Sequence, residues 1–165
     1  MKVLFIGRFQ PFHMGHLKVV KYLLKKYDKI VIGIGSSQYK NTLKNPFSFE
    51  ERKTMIEKTL DNESMLEYEI IDIPDIHNPP KWVDHVLSIF SDFEVVASNN
   101  SFTKKLFGKK GYKVIDTPIF DGENLSGKNI RKRIKNNEEW QNLVPDPVVE
   151  IIKKINGIKR IKNLD

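Results

Sequence analysis

The chain has 165 residues, 39% hydrophobic and 30% charged, a balance that suits one globular domain with a real core and excludes intrinsic disorder. It has no cysteine, which rules out disulfides and thiolate metal sites; no apolar run nears the ~20 residues that span a bilayer, and the short one after Met1 is no signal peptide, so the expected location is cytoplasmic. The net charge of +7 admits a nucleic-acid partner, a small polyanionic ligand or simply a lysine-rich surface.

Residues 3–6 are continuously apolar and end at Gly7, the pattern of a buried parallel strand. Leu17, Val20, Leu23 and Leu24 follow at helical spacing. Residues 30–34 read as a second buried strand, favoured by their β-branched side chains, and 35–46 as a polar loop. Ser48 and Glu51 form a capping box that opens a helix over about 49–60, with Met55, Ile56 and Leu60 inward. A third strand is expected over 68–73. A loop over 74–80 follows, and its Pro79-Pro80 suits the first turn of a helix carrying Trp82, Val83, Val86, Ile89 and Phe90. Strands over 94–97 and 112–115 flank a short helix over 101–107 that ends before Gly108. Ser126 caps a helix through Ile130 and Ile134, and short helical stretches around 138–143 and 147–155 finish the chain.

Strand and helix thus alternate, which predicts a Rossmann-like α/β fold: a doubly wound parallel sheet with helices on both faces. One domain over 1–165 is expected, with a helical C-terminal part from about residue 126. Ligands of such sheets bind outside the carboxyl ends of the strands, where the strand order reverses.

The strongest candidate site follows the first strand, in Gly7-Arg8-Phe9-Gln10-Pro11-Phe12-His13-Met14-Gly15-His16. Gly7 permits close backbone approach, and Arg8 is a permanent cation with a planar donor fork. His13 and His16 bracket Gly15 where the next helix starts, so amides, helix dipole and two imidazoles can meet one anion. A lone histidine on a helix is more often surface or core, and two without a carboxylate make a poor metal shell. The whole string at a strand-to-helix junction points to phosphate. A second candidate is Ser126-Gly127-Lys128-Asn129-Ile130-Arg131. Cations at a helix N-terminus are unfavourable unless an anion lies nearby; a solvated basic helix is the competing reading.

These segments resemble the archaeal-type nicotinamide mononucleotide (NMN) adenylyltransferases of the HxGH nucleotidyltransferase superfamily. The likeness covers nearly the whole chain. It runs through 7–16, 33–38, Asn45-Pro46-Phe47 with Glu51-Arg52, Trp82-Val83 and 126–131, and reaches 143–145 and 155–161. It implies the HxGH nucleotidyltransferase fold and transfer of the adenylyl group of ATP to NMN, giving NAD and pyrophosphate. Because the attacking phosphate is already an anion, no general base is needed, and catalysis is positioning plus charge stabilisation. The resemblance implies catalytic roles for His13, His16, Arg8 and Arg131. The ATP site would comprise Gly7, Arg8, Phe9, His13, Gly15, His16, Arg52, Ser126, Gly127, Lys128, Ile130 and Arg131. Trp82 would stack on the nicotinamide ring, Asn78 would meet its carboxamide, and Gly35, Ser36 and Asn100 would complete the NMN pocket. Mg²⁺ would arrive on the ATP phosphates, with no protein metal ligand expected. A homo-oligomer, often a hexamer in this family, is also implied.

The chain departs from the family pattern at three places: Lys128 stands for threonine, Pro79 for the asparagine that Asn78 would replace, and Asn99 for glycine. Two of these border the NMN pocket, so the acceptor is the least determined part. Alternative acceptors are FMN, phosphopantetheine or a phosphorylated polyol. A nucleic-acid-binding module is disfavoured, because no recognition motif or run of aromatics for base stacking is present. Gly33-x-Gly35 lacks the third glycine of a dinucleotide fingerprint and is expected to open the strand end to substrate.

Overall fold

A computed structural model describes residues 1–165. Five strands run in chain order, β1 (Lys2–Gly7), β2 (Lys29–Gly35), β3 (Tyr68–Ile73), β4 (Val95–Ala97) and β5 (Lys113–Ile115). They form one sheet in the order β3-β2-β1-β4-β5, with every pair parallel. The chain steps outward from β1 to β3, then returns to the other side of β1. That reversal between β1 and β4 marks a doubly wound, Rossmann-like sheet. Val3 and Leu4 of β1, Ile30 to Ile32 of β2 and Val95 to Ala97 of β4 are all buried, as both-sided burial of central parallel strands requires. The edge strands are more polar: Glu69 and Asp72 lie on β3, Lys113 on β5.

The helices are α1 (Met14–Leu24), α2 (Phe49–Asn62), α3 (Pro79–Ile89), α4 (Ser101–Lys109), α5 (Gly127–Lys135), α6 (Asp146–Lys154) and α7 (Gly157–Lys162). The chain divides into two compact units. The first comprises Met1–Gly7, Val19–Ser36 and Glu67–Pro118; the second comprises Arg8–Lys18, Ser37–Leu66 and Ile119–Asp165. In the first, Leu4, Val31, Ile71 and Val96 of the sheet pack with Val83 and Val86 of α3 and with Phe93 and Phe107. In the second, α2 packs on α6, and α7 on both α5 and α6. No helix is long and apolar enough to cross a membrane.

The helices after residue 100 differ from expectation. The helix over 101–107 continues through Gly108 to Lys109, because the left-handed residue that ends it is Gly111, at φ 85°. The stretch 138–143 holds only a 3₁₀ turn over Gln141–Leu143: Asn137, at φ 58°, has reversed the chain, and Trp140 turns into the core at 4% exposure. The stretch 147–155 is helical as expected, in α6, but a further helix that was not expected, α7, follows it after Asn156 at φ 56°. Gly33 is tightly packed, since an added Cβ would lie 2.6 Å from Ile73 Cδ1.

Candidate active site

Immediately after β1 the chain turns through Phe9, at φ 53°. A bulky residue in that region costs roughly 1–2 kcal/mol, offset here by complete burial of its ring. Phe9 and Phe12 then flank the His16 imidazole, edge-on at 4.8 Å and stacked at 5.4 Å between ring centroids. His13 stacks on His16 at 3.6 Å and 23°. The two rings are held by their own backbone. His13 Nδ1 accepts from the amides of Gly15 at 3.1 Å and His16 at 3.4 Å, while His16 Nδ1 accepts from the His13 amide at 3.1 Å. A nitrogen that accepts carries no proton, so each neutral ring bears its hydrogen on Nε2. Burial lowers His13 to about 4, and burial together with the neighbouring His13 lowers His16 well below its usual value. The pair therefore consists of neutral, orientation-locked donors suited to phosphate oxygens.

Gly15 is required beside them. A Cβ there would lie 2.9 Å from His13 Cε1 and 3.0 Å from its Nδ1.

The second motif, 110 positions beyond His16 at Ser126, folds onto this loop. Ser126 caps α5, its Oγ accepting from the Asn129 amide at 3.1 Å. Arg131 is only 8% exposed, and its Nη1 donates to the Gln10 carbonyl at 2.7 Å. A Cβ on Gly127 would fall 2.7 Å from Arg131 Nη1 and 3.0 Å from the Gln10 oxygen, so glycine is what lets the segments meet. Arg8, Lys44, Lys128, Arg131, Lys132 and Lys135 line one cavity of about 540 Å³ that no carboxylate enters. Burial, and then the Arg8 charge, bring Arg131 down to about 10. Unpaired cations crowded in this way favour a polyanion.

Arg52 faces the loop backbone. It is completely buried, and its guanidinium donates to the carbonyls of Ser48 at 3.1 Å, Arg8 at 2.9 Å, Ser37 at 3.4 Å and Tyr39 at 3.5 Å. It ties the loops together from beneath. Ile130 is likewise wholly buried and its amide bonds to the Ser126 carbonyl, so its side chain is core. Sequence reading passed over the role of Gln10. Its buried side-chain amide donates to the Phe47 carbonyl and accepts from the Phe47 amide, both at 2.9 Å. The partners are 37 positions apart, so no local pattern reveals the pair. Lys132 directly follows the Ser126 to Arg131 motif, whereas the cavity cation Lys135, legible at helical spacing from Lys128, was not singled out.

The expected acceptor residues all lie in the first unit. Trp82 is half-buried on α3, with Phe102 at 5.6 Å and Phe107 edge-on at 5.6 Å. Ser36, at φ 48°, donates to Asp75 Oδ2 at 2.8 Å. A Cβ at Gly35 would make only ordinary contacts, 3.7 Å from the Gly7 carbonyl oxygen and from Ile6 Cγ2. Asn78 is exposed before α3 and makes no side-chain cap bond, whereas Asn100 caps α4 through the Thr103 amide. Asn99 is explained structurally, since its amide exchanges two hydrogen bonds with the Thr117 backbone at 2.7 and 2.8 Å. His85 Nε2 lies 3.0 Å from the Pro74 carbonyl, and His77 is exposed.

Comparison with known proteins agrees with this geometry. The cytidylyltransferase-like family pattern matches residues 4–133. A nicotinamide-nucleotide adenylyltransferase of Thermoplasma volcanium is 44% identical over 159 residues, covering 96% of this chain and 89% of its own. One from Archaeoglobus fulgidus is 41% identical over 169 residues, covering 99% and 97%. Among solved structures, a bifunctional NMN adenylyltransferase/ADP ribose pyrophosphatase from Francisella tularensis, complexed with AMP and a manganese ion, superposes with a TM-score of 0.80 at 26% identity. That alignment covers 98% of this chain but 51% of the other, so the chain spans about half the length of the bifunctional protein. With both phosphate motifs inside the matched span and near end-to-end agreement with the archaeal enzymes, the chain belongs to the cytidylyltransferase-like family, in its archaeal nicotinamide-nucleotide adenylyltransferase branch.

Proposed function

We propose that this chain catalyses adenylyl transfer from ATP to nicotinamide mononucleotide, forming NAD and pyrophosphate. The observation that carries the reading is the pair of locked imidazole donors on the same loop whose Gln10 carbonyl anchors Arg131. The mononucleotide phosphate attacks the α-phosphorus of ATP, and the bond to the bridging oxygen of the β-phosphate breaks. The Nε2 hydrogens of His13 and His16 meet the oxygens of the transferring group, and Arg8 and Arg131 hold the departing pyrophosphate. Because both rings keep Nδ1 as an acceptor for backbone amides, they act as donors and not as bases. The Ser126 hydroxyl, Gly127 and Lys128 extend the cradle at the start of α5.

The chain offers no cluster of three potential metal ligands. A divalent ion would arrive with the phosphates and water and would lower the charge of the transferring group. Mg²⁺ as that ion, a cytoplasmic location, a homo-oligomer and a single nucleotidyltransferase domain belong to the same proposal and rest on the family likeness. Trp82 is proposed as the platform for the cationic nicotinamide ring, with Gly35, Ser36, Asn78 and Asn100 around the acceptor. Names of the archaeal relatives favour this acceptor over FMN, phosphopantetheine or a polyol phosphate.

The test is pyrophosphate release from ATP with each acceptor in turn, with dinucleotide followed chromatographically. NAD should form from nicotinamide mononucleotide at a rate well above any other product. Turnover with FMN or phosphopantetheine, and none with the mononucleotide, would overturn the assignment.

A further inference from the structure

Helix α5 carries five cations: Lys128, Arg131, Lys132, Arg133 and Lys135. Four of them, at positions i, i+3, i+4 and i+7, share one face and line the cavity that Arg8 and Lys44 complete. Arg133 points elsewhere, and it alone of the five has a carboxylate within reach, Glu138 at 3.9 Å. The helix thus gives a carboxylate to the cation that leaves the cavity and none to the four that face it, two of which, Arg131 and Lys135, bond only to the backbone carbonyls of Gln10 and Leu164. Attraction to the helix C-terminus explains why basic residues are tolerated in the last turn; it does not explain why carboxylates are missing on one side only.

The stripe is also longer than the proposed clamp. Lys132 and Lys135 lie about 6 and 10 Å along the axis from Lys128, at 1.5 Å per residue. That is past the first turn, where the N-terminal amides and dipole act. A triphosphate carrying a divalent ion has a net charge well short of six cations.

We propose that this cavity accepts a polyphosphate chain longer than a triphosphate, with Lys132 and Lys135 holding the additional phosphate. This rests on the adenylyl-transfer reading for its donor end. The consequence is a wider donor class, namely adenosine polyphosphates with a fourth phosphate. The acceptor oxygen bonds to the α-phosphorus as before, the same bridging bond breaks, and tripolyphosphate leaves with the electron pair in place of pyrophosphate. Nothing is oxidised or reduced.

Calorimetry with the magnesium salts of inorganic pyrophosphate and tripolyphosphate tests the idea without any acceptor. Failure of the acceptor assignment would therefore leave this measurement readable, and failure here would leave adenylyl transfer to mononucleotide standing. The intact chain should bind tripolyphosphate roughly tenfold more tightly than pyrophosphate. Lys132→Gln, alone and with Lys135→Gln, should remove most of that preference while changing pyrophosphate affinity less than about twofold. The single variant matters because Lys135 Nζ also donates to the Leu164 carbonyl, and its loss could loosen the C-terminus. Lys153→Gln/Lys159→Gln, an equal loss of charge at a separate lysine cluster, should leave the preference intact. Equal affinity for the two anions would overturn the proposal. So would an equal loss in the Lys153/Lys159 control, or an unchanged preference in the Lys132 variants.

Discussion

His13 receives two backbone amides on one ring nitrogen, and that arrangement sets both its tautomer and its aim. Gly15 is the residue on which the geometry turns. Alanine there would press on the ring at 2.9 Å and disturb the amide bond that orients it. In Gly15→Ala, kcat should fall about 100-fold, since displacement of a catalytic group by about an ångström has that order of effect. Stability should change by less than about 1 kcal/mol, because alanine is the better helix former at the start of α1. Steady-state kinetics beside a urea melt separate the two; an undiminished kcat would show that the His13 ring position does not limit the reaction.

At the scale of elements, α7 braces the phosphate loop from behind. Its Arg160 makes a bidentate pair with Glu51 at 2.7 and 2.8 Å, donates to the Pro46 carbonyl at 3.0 Å and lies 6.0 Å from the Phe47 ring. Burial works to raise the Glu51 carboxyl, but bonds from Arg160 and Ser48 outweigh it and hold the group below its ordinary value. Phe47 in turn is clamped by Gln10, so the C-terminal helix, the capping box of α2 and the loop after β1 form one connected support. Arg160→Ala should cost about 2 kcal/mol of stability, the order of a charge-assisted hydrogen-bond pair. It should also raise the KM for ATP with a smaller change in kcat, because the loop loses its brace while the imidazoles keep their local bonds. Denaturation together with a KM and kcat comparison checks this, and an unchanged KM would confine α7 to a stabilising role.

Across the whole molecule, paired cations and the gathered cations of α5 differ in their surroundings. Lysines of the first unit such as Lys29, Lys104 and Lys110 are matched to Glu69, Asp116 and Asp84, whereas the six cations of the α5 cavity have no carboxylate partner. The buried imidazoles also tie stability to pH. Between 6.5 and about 4 the unfolded chain binds protons that His13 refuses in the fold, so this contribution is complete above 6.5 and is lost as pH falls through that window. Thermal melts should show a steeper loss of stability from pH 6.5 to 4 in the native chain than in His13→Asn; parallel profiles would remove the histidine from the linkage.

Much of this was written in local pattern. The continuous apolar runs of β1 and β2, the Ser48 and Glu51 capping box and the Ser126 cap depend on residues within a few positions of one another, so their physics is readable along the chain. The phosphate loop was legible for the same reason, as a strand exit followed by a helix start. Helix ends were less so. Gly108 looked like a stop but sits in open space within α4, and the true stops lie at Gly111, Asn137 and Asn156, each with a positive φ angle. By itself the sequence determined the alternation of elements, the two phosphate motifs and the family they resemble. Only the tertiary structure decided that Arg131 meets Gln10, that Arg52 binds loop carbonyls, and that four cations of α5 share one face without a carboxylate partner. Those relations join residues up to 121 positions apart, and burial and charge act through distance in space, which the order of residues along the chain does not carry.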